Sequence, residues 1–346
     1  MASEEHRIVC LDECHCPSPI FTIAHTYKGY DNTPLELVAE RIKDATIVIS
    51  TRVKIPDAAI AQCPDLQLIA VMAAGFDIVD VKKCRERGIK VSNIPSASAE
   101  AVAEHAFTLY LSAKRRVVEL HNLTREGIEW PLRKTGTHKY NGVPRTCKSE
   151  TMGIVGYGNL GELAFQSLRL LALITKGKRI EDMAKAMGMA VIIADRKGTP
   201  PNATRPGRTE FTQTLQRSDV LILCCPLDAS TRGMIGEAEL KLMDSRSLLV
   251  NVARGGVVDE DALVKALQNG WISGAAVDVF ASEPVTPSTS PLLADGIPNL
   301  TLSPHVAWYA DSSIKNVQAT INSNIESFVA GHPDNLPSSL NMFLYE

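Results

Sequence analysis

The chain has 346 residues, of which 45% are hydrophobic and 22% are charged, and its formal net charge is −3. This length exceeds the usual size of one domain, so we expect two domains, each with enough apolar residues for its own core. The small net charge gives no electrostatic basis for binding nucleic acid or an anionic membrane, and no apolar run is long enough to span a bilayer.

The eight cysteines follow no repeating framework, which is typical of free thiols in a cytosolic protein. The N-terminus lacks a signal-peptide pattern and the C-terminal Leu-Tyr-Glu is not a peroxisomal signal, so we expect the protein in the cytosol. Cys14-His15-Cys16 could form half of a metal site. Because no second pair with zinc spacing follows, we predict a loop there and no metal.

The first hundred residues alternate short apolar strands with helices. Strands are predicted at 7–12, 46–50 and 66–72. Helices are predicted at 34–42, 56–63 and 80–87. Thr33 would cap the first helix, with Pro34 in its first turn. Such alternation favours a parallel sheet with helices on both faces, and hence a small α/β domain.

A helical period then continues from Ser98 to Leu120, long enough to cross between two domains. The residues after it, up to Ser149, contain several glycines and prolines and show no clear period. We interpret them as an ordered loop that covers the surface or a dimer partner.

The stretch from Glu150 to Asp195 has the pattern of a dinucleotide-binding unit. An apolar run ends in G-x-G-x-x-G, with glycines at Gly156, Gly158 and Gly161 and with Asn159 and Leu160 between the last two. In this pattern the glycines allow a tight turn and close packing, and the N–H groups of the following helix face the pyrophosphate. Asp195 follows the next apolar strand, where a carboxylate would accept the ribose hydroxyls.

The spacing within this stretch is unusual. The acidic residue is expected about 20 residues after the last glycine, yet Asp195 lies 34 positions after Gly161. Gly177, by contrast, precedes Asp195 by 18 positions. Removing 161–176 would join Leu160 to Gly177 and restore both the motif and its spacing, so we interpret 161–176 as an insertion. The alternative is a longer helix followed by a loop.

The remainder of the chain repeats the alternation of strand and helix. Strands are predicted at 219–224, 247–252, 272–277 and 300–303, and helices at 237–243, 259–269 and 311–330. Arg254, Asp278 and His305 each come at the end of one of these strands, and Glu283 lies shortly after Asp278. Since the carboxyl ends of strands carry the functional residues in open α/β sheets, we expect these side chains to gather there.

Four stretches together resemble one enzyme family. Asn-Val-Ala-Arg-Gly-Gly-Val-Val-Asp-Glu, Val-Asp-Val-Phe-Ala-Ser-Glu-Pro and Ser-Pro-His-Val-Ala-Trp look like the three signatures of the D-isomer-specific 2-hydroxyacid dehydrogenases, and 71–80 is similar to that family's substrate loop. The resemblance covers nearly the whole chain. It implies an α/β fold with two doubly wound parallel-sheet domains. A Rossmann dinucleotide-binding domain, 98–305, would be inserted into a flavodoxin-like substrate domain formed by 1–97 and 306–346.

By this resemblance Arg254 binds the substrate carboxylate and carbonyl, His305 is the acid/base and Glu283 orients it. These residue types suit the chemistry, because a histidine can deliver a proton as hydride reaches the carbonyl carbon. A guanidinium binds a planar carboxylate in a bidentate way that lysine cannot match. Backbone N–H groups of Ala74 and Gly75 would add substrate contacts.

Each of these residues also has an ordinary structural explanation. Arg254 could pair with Asp259 or Glu260 at the start of a helix, His305 could be a loop histidine, and Glu283 could be a turn carboxylate. Their common order along the chain and their positions at strand ends favour the catalytic interpretation.

For the cofactor, Asp195 favours NAD, since a carboxylate repels a 2′-phosphate. Arg196 and Lys197 follow directly and leave NADP possible, because a nearby arginine can accommodate that phosphate. The resemblance adds cofactor contacts from Cys225, Pro226, Val252, Ala253, Arg254, Asp278 and His305. Cys224 stands where many relatives have histidine, so the sequence departs from the family pattern at that position.

The resulting prediction is an NAD(P)-dependent reductase of glyoxylate, hydroxypyruvate or a related small 2-keto acid. The resemblance also suggests a homodimer formed through the helix at 98–120 and the segment after it. Two alternatives are a dinucleotide-sensing corepressor or scaffold of the same fold, and a form whose cofactor binding is impaired by the insertion.

Overall fold

The computed structural model describes residues 5–95, 97–140, 142–158 and 175–331. The chain divides into two compact units, one comprising Met1–Ser98 and Tyr309–Glu346 and the other Ala99–Trp308. Each unit contains a parallel β-sheet, which confirms the predicted fold class of two parallel-sheet α/β domains. The second unit lies within the sequence of the first.

The secondary structure follows the predicted alternation. In chain order the strands are β1 (His6–Cys10), β2 (His25–Gly29), β3 (Ile47–Ser50), β4 (Leu68–Val71), β5 (Lys90–Ser92), β6 (Thr151–Val155), β7 (Ala190–Ile193), β8 (Val220–Leu223), β9 (Leu248–Asn251), β10 (Gly274–Val277) and β11 (Leu300–Leu302). The α-helices are α1 (Val38–Ile42), α2 (Asp57–Ile60), α3 (Val81–Glu86), α4 (Ala99–Lys114), α5 (Val117–Glu126), α6 (Glu129–Arg133), α7 (Lys176–Ala186), α8 (Phe211–Arg217), α9 (Glu237–Leu242), α10 (Glu260–Gln268) and α11 (Asp311–Val329).

The first unit has a five-stranded sheet in the order β2-β1-β3-β4-β5, with all neighbouring strands parallel. This is the flavodoxin-like order. The two edge strands, β2 and β5, were not predicted. The sequence of β2, His-Thr-Tyr-Lys-Gly, has no apolar run because most of its residues are exposed at the edge.

Two details of the predicted helices are wrong. Thr33 does not cap α1, because its hydroxyl donates to Leu11 O at 2.6 Å, and a 3-10 turn precedes the helix. The helix predicted over 98–120 is interrupted at Arg116, whose φ of 49° lies in the left-handed region. That backbone conformation ends the first helix, so α4 and α5 form in place of one long helix.

The second unit has a six-stranded parallel sheet in the order β11-β10-β9-β8-β6-β7. A single parallel bridge between Ala194 and Thr209 extends it beyond β7. The strands β8, β9 and β10 are buried along their whole length, since helices cover both faces. One core contains α4 and α7, and the other contains α8, α9 and α10.

The parallel arrangement brings the carboxyl ends of these strands to one edge of the sheet. The residues that follow β6, β9, β10 and β11 are the predicted glycine turn, Arg254, Asp278 and His305. None of the helices in the described ranges is both long and apolar enough to cross a membrane.

Candidate active site

His305 and Glu283 lie side by side at this edge. His305 has a φ of 54° and its backbone N–H donates to Asp278 O at 2.7 Å, which places the residue just beyond β11. Its Nδ1 is 2.5 Å from Glu283 Oε2, and the other carboxylate oxygen of Glu283 accepts the N–H of Phe280 at 2.9 Å. The carboxylate is therefore fixed by the backbone and in turn fixes the imidazole.

Asp278, which ends β10, is fully buried and fixes the loop that carries the histidine. Its carboxylate accepts the hydroxyl of Ser303 at 2.6 Å and the backbone N–H groups of Val306 and Ala307 at 3.0 and 2.9 Å. Burial alone would raise the pKa of this carboxyl, but hydrogen bonds, first from His105 and then from Ser303 and the loop backbone, hold its pKa below the ordinary value.

Arg254 follows β9 and is half-buried, with its guanidinium donating to Ala253 O at 3.1 Å. The next residue, Gly255, explains the position of this loop. A Cβ on Gly255 would lie 1.8 Å from the carbonyl carbon of Phe280, so only glycine lets the Arg254 loop pack against the residues that lead to Glu283.

The two carboxylates considered as ordinary partners of Arg254 have other roles. Asp259 caps α10 by accepting the N–H of Ala262 at 3.0 Å. Glu260 accepts the N–H of Ala281 at 2.7 Å and the hydroxyl of Ser290 at 2.5 Å, and so supports the loop before Glu283.

The glycine turn after β6 faces the start of α7. Gly156 and Gly158 have φ values of 102° and 72°, which favour glycine. A Cβ on Gly177, in the first turn of α7, would lie 2.5 Å from Gly156 O. Thr175 caps this helix, since its hydroxyl accepts the N–H of Lys178 at 3.2 Å and donates to Tyr157 O at 2.8 Å.

In space, therefore, Gly177 holds the place expected of the third fingerprint glycine, with Thr175 and Lys176 before it. The predicted cofactor residues Asn159, Leu160 and Gly161 and most of the predicted insertion at 161–176 lie outside the described residues. The described chain resumes at Thr175, whose side chain lies against Gly158.

Comparison with known proteins identifies one family. Residues 171–307 match the family model for the NAD binding domain of D-isomer specific 2-hydroxyacid dehydrogenases. The chain is 37% identical over 336 residues to the glycerate dehydrogenase of Methylorubrum extorquens, covering 95% of this chain and 98% of the relative. It is 35% identical over 311 residues to the glyoxylate reductase of Aeropyrum pernix, covering 89% and 87%.

This chain belongs to the D-isomer specific 2-hydroxyacid dehydrogenase family. A solved structure of the NADPH-dependent glyoxylate/hydroxypyruvate reductase of Sinorhizobium meliloti, in complex with NADP and malonate, matches with a TM-score of 0.72 and 25% identity over 93% of each chain. The predicted family and Rossmann fold are thereby confirmed. The family-model match begins at residue 171, so the strand and glycine turn before Gly177 lie outside it.

Two further residues of this dehydrogenase lie near the glycine turn: Cys224, which the sequence marked only as a departure from the histidine of many relatives, and Lys176, which the sequence did not single out. The thiol of Cys224 donates to Gly156 O at 2.8 Å, and burial raises its pKa to about 12, so it stays protonated. Lys176, the first residue of α7, is half-buried; burial and then the charge of Arg254 lower its pKa to about 8. Since both residues adjoin the interrupted part of the motif, the fingerprint alone could not identify them.

Asp195 ends the strand segment after β7, as predicted, but its carboxylate is already bound within the dehydrogenase. It accepts the backbone N–H of Arg196 at 2.7 Å, the backbone N–H of Arg205 at 2.8 Å, and two bonds from the Arg205 guanidinium at 2.8 and 2.5 Å. These bonds, led by those from the Arg205 side chain, lower the pKa of Asp195 to about 2 despite its burial.

The remaining predicted residues have definite places. Val252, Ala253 and Cys225 are buried directly after their strands, and Pro226 follows them at the surface. Ala74 and Gly75 belong to the first unit. There the side-chain amide of Asn93 donates to Ala74 O at 2.8 Å and so anchors the loop after β4.

Proposed function

We propose that this chain reduces a small 2-keto acid, glyoxylate or hydroxypyruvate, to the corresponding D-2-hydroxy acid with NADH or NADPH. The observation that carries the proposal is the His305–Glu283 pair, which is 2.5 Å long and lies at the strand ends beside the Arg254 loop. The names of the relatives from Methylorubrum extorquens, Aeropyrum pernix and Sinorhizobium meliloti support the choice of substrate.

The proposed mechanism assigns one task to each side chain. When bound, the nicotinamide cofactor supplies the hydride to the carbonyl carbon. Arg254 binds the substrate carboxylate and polarises the carbonyl. Because Glu283 holds Nδ1 of His305, Nε2 is the ring nitrogen that donates the proton to the carbonyl oxygen. The hydroxy acid then leaves, and solvent returns the proton to the imidazole.

The described residues fit a dinucleotide. A Cβ at Gly156 would meet the backbone of Cys225 at 2.4 Å, and one at Gly177 would meet Gly156 O, so the turn lies close against the helix as the fingerprint requires. The N-terminus of the 11-residue helix α7 would then bind the pyrophosphate. Pro226, Val252, Ala253 and Asp278 would contact the nicotinamide half. The substrate contacts of Ala74 and Gly75 stay a prediction from the resemblance.

Two further assignments belong to the same proposal. We place the protein in the cytosol, because all eight cysteines are free thiols.

We also propose a homodimer, because the region from α5 to Val143 exposes large apolar side chains, including Leu132 at 78% and Val143 at 95% exposure. Light scattering of the purified chain measures the oligomeric state, and a monomer at all concentrations would contradict this assignment.

A panel of 2-keto acids tests the proposed activity. Purified chain is mixed with NADH or NADPH and with glyoxylate, hydroxypyruvate, pyruvate or 2-ketoisocaproate, and oxidation of the cofactor is followed. We expect turnover with glyoxylate or hydroxypyruvate and a loss of at least about hundredfold in kcat/KM for Arg254→Ala. Arg217→Ala, a change at the exposed end of α8, is the matched control and is expected to retain activity. Absence of turnover that depends on Arg254 would refute the proposal.

A further inference from the structure

One polar side chain interrupts the apolar face of α4. His105 lies three residues after Val102 and four residues before Leu109, and residues at these spacings share one side of a helix. Val102 and Leu109 are both buried in the core beside the sheet, whereas the side chain of His105 is 23% exposed. A largely buried imidazole needs a hydrogen-bond partner, so its contacts indicate its role.

These contacts determine which ring nitrogen of His105 carries a proton. Its Nε2 lies 3.0 Å from Ser303 Oγ. The single proton of the Ser303 hydroxyl is donated to Asp278 Oδ1 at 2.6 Å, so this hydroxyl accepts from the imidazole. Nε2 is therefore the protonated nitrogen, and it also lies 3.4 Å from the same oxygen of Asp278.

His105 is also the basic partner of Asp278. The carboxylate is fully buried, and among the residues that the structure describes His105 is the one ionisable base paired with it. A buried carboxylate is costly unless donors surround it. Donation from His105 polarises the Ser303 hydroxyl and so strengthens the bond of that hydroxyl to the carboxylate.

The Asp278 carboxylate in turn holds the chain on both sides of His305. Ser303 precedes His305 by two residues, while Val306 and Ala307 follow it directly, and all three bond to this carboxylate. The backbone N–H of His305 also donates to Asp278 O at 2.7 Å. A displaced carboxylate would thus displace the imidazole of His305, and an error of about 1 Å can lower a rate by about hundredfold.

We infer that His105 is a positioning residue for the proton donor. Its Nε2–H, acting through the Ser303 hydroxyl, holds Asp278 and thereby keeps the loop of His305 in the reactive arrangement. This inference rests on the proposed function, because it adds a residue to the same reaction. It requires no contact of His105 with substrate or cofactor, since a chain of hydrogen bonds transmits the effect.

Two amide variants distinguish this role from a purely structural one. In His105→Gln an amide nitrogen takes the place of Nε2 and still donates to Ser303, whereas the shorter side chain of His105→Asn reaches only the place of Nδ1. With saturating hydroxypyruvate we expect kcat within about threefold of native for His105→Gln and about tenfold lower for His105→Asn. The solvent isotope effect on kcat should rise in His105→Asn alone, which a smaller folded fraction would not cause.

Removal of the hydroxyl tests the proposed connection. Ser303→Ala should lower kcat by about as much as His105→Asn, and the double variant should fall no further than the slower single variant, because both changes break the same chain of bonds. Independent effects that multiply in the double variant would overturn the inference. Since His105→Asn could lose stability, Ser303→Ala also provides a second variant that leaves α4 unchanged.

Proton NMR of the full chain tests the inference without any turnover. The Nδ1–H of His305, which bonds Glu283 Oε2 at 2.5 Å, should give a far-downfield signal. We expect this signal in the native chain and in His105→Gln, and its loss in His105→Asn and Ser303→Ala. An unchanged signal in those two variants would overturn the inference and leave the reductase assignment intact.

The remaining outcomes separate the inference from the proposed function. Loss of the signal in His105→Asn and Ser303→Ala, in a chain that reduces no 2-keto acid, would support the inference about position and overturn the reductase. Absence of the signal from the native chain would overturn the contact between His305 and Glu283, and both proposals with it.

Discussion

Asp278 and Asp195 are both buried carboxylates at strand ends of the same sheet, yet they are neutralised in different ways. Asp278 binds the side chains of His105 and Ser303 and the backbone N–H groups of 306–307, so it holds a loop in place. Asp195 binds the side chain of Arg205, which is more than one third exposed. The partners of Asp278 are spread over four residues, whereas Asp195 is bonded by one guanidinium and by the backbone N–H groups of Arg196 and Arg205. We conclude that the loop carrying His305 is held by several residues at once, whereas the charge of Asp195 is balanced by the one guanidinium of Arg205.

The largest expected effect is at His305. His305→Gln removes the proton donor, so kcat should fall by about 10² to 10⁴, while the dissociation constant of the cofactor stays within about threefold. Steady-state kinetics and calorimetry measure the two quantities. The matched control is His121→Gln, since His121 is an exposed histidine on α5. If His305→Gln kept the native kcat, the loop that carries His305 would not be the catalytic part of the sheet edge.

The next prediction tests whether activity depends on the close packing of the Arg254 loop against the backbone at Phe280. Gly255→Ala must displace the backbone at Phe280, so kcat/KM should fall by about hundredfold through misplacement of Arg254. The neighbouring change Gly256→Ala is the control, because its Cβ meets the side chain of Leu227 at 3.3 Å and no backbone atom that close. Equal activities of the two variants would show that the close approach at Gly255 has no catalytic importance.

A smaller effect is expected on the free energy of unfolding when the ion pair of Asp195 is removed. The folded pKa of Asp195 is about 2, below the value of about 3.9 in an unfolded chain. The ionised group therefore stabilises the fold above pH 4, and this contribution is lost as the pH falls from about 4 towards 2. Asp195→Asn should reduce the free energy of unfolding by about 2 kcal/mol at neutral pH and by less at pH 3.

Urea unfolding of native chain and variant at both pH values measures this difference. Asp182→Asn serves as control, because Asp182 pairs with Lys178 on the surface of α7 and should change the free energy by less than about 0.5 kcal/mol. A loss of stability in Asp195→Asn that is independent of pH would contradict the ion-pair account.

The smallest expected effect concerns the interruption of the fingerprint. Deleting 159–174 joins Gly158 to Thr175, and deleting 161–176 joins Leu160 to Gly177 with Asn159 in the capping position. Both leave the turn and the start of α7 with a suitable cap, so the affinity for NADPH should stay within about threefold of the native chain. If either deletion raised the affinity for NADPH more than tenfold, the extra residues would be shown to impair cofactor binding.

The proposed catalytic residues could be found in the sequence because each of them lies in a contiguous stretch at a strand end. Arg254, Glu283 and His305 needed only the strand pattern and the resemblance, and the structure brings the last two into contact. The two α/β sheets were predictable for the same reason. The edge strand β2 was missed because its exposed residues show no apolar pattern.

The pairing of the Asp195 carboxylate could not be predicted in this way. Its decisive partner, Arg205, lies ten residues further along in a segment with no periodic pattern, and an ion pair leaves no spacing rule to recognise. By contrast, the sequence already offered Gly177 as an alternative to Gly161 through its spacing from Asp195, and the close approach of Gly177 to Gly156 O supports that alternative. The pairing of Asp195 with Arg205 depends on how the chain folds, and a sequence pattern does not record it.

The proposed function requires transfer of a hydride to a 2-keto acid beside Arg254 and His305. The most direct measurement uses hydroxypyruvate and NADPH that carries deuterium at the transferable position of the nicotinamide, with the product analysed by mass spectrometry and chiral chromatography. We predict D-glycerate with one deuterium on the carbon that bears the new hydroxyl, formed about 10² to 10⁴ times more slowly by His305→Gln. Unlabelled product or the L-isomer would contradict the account.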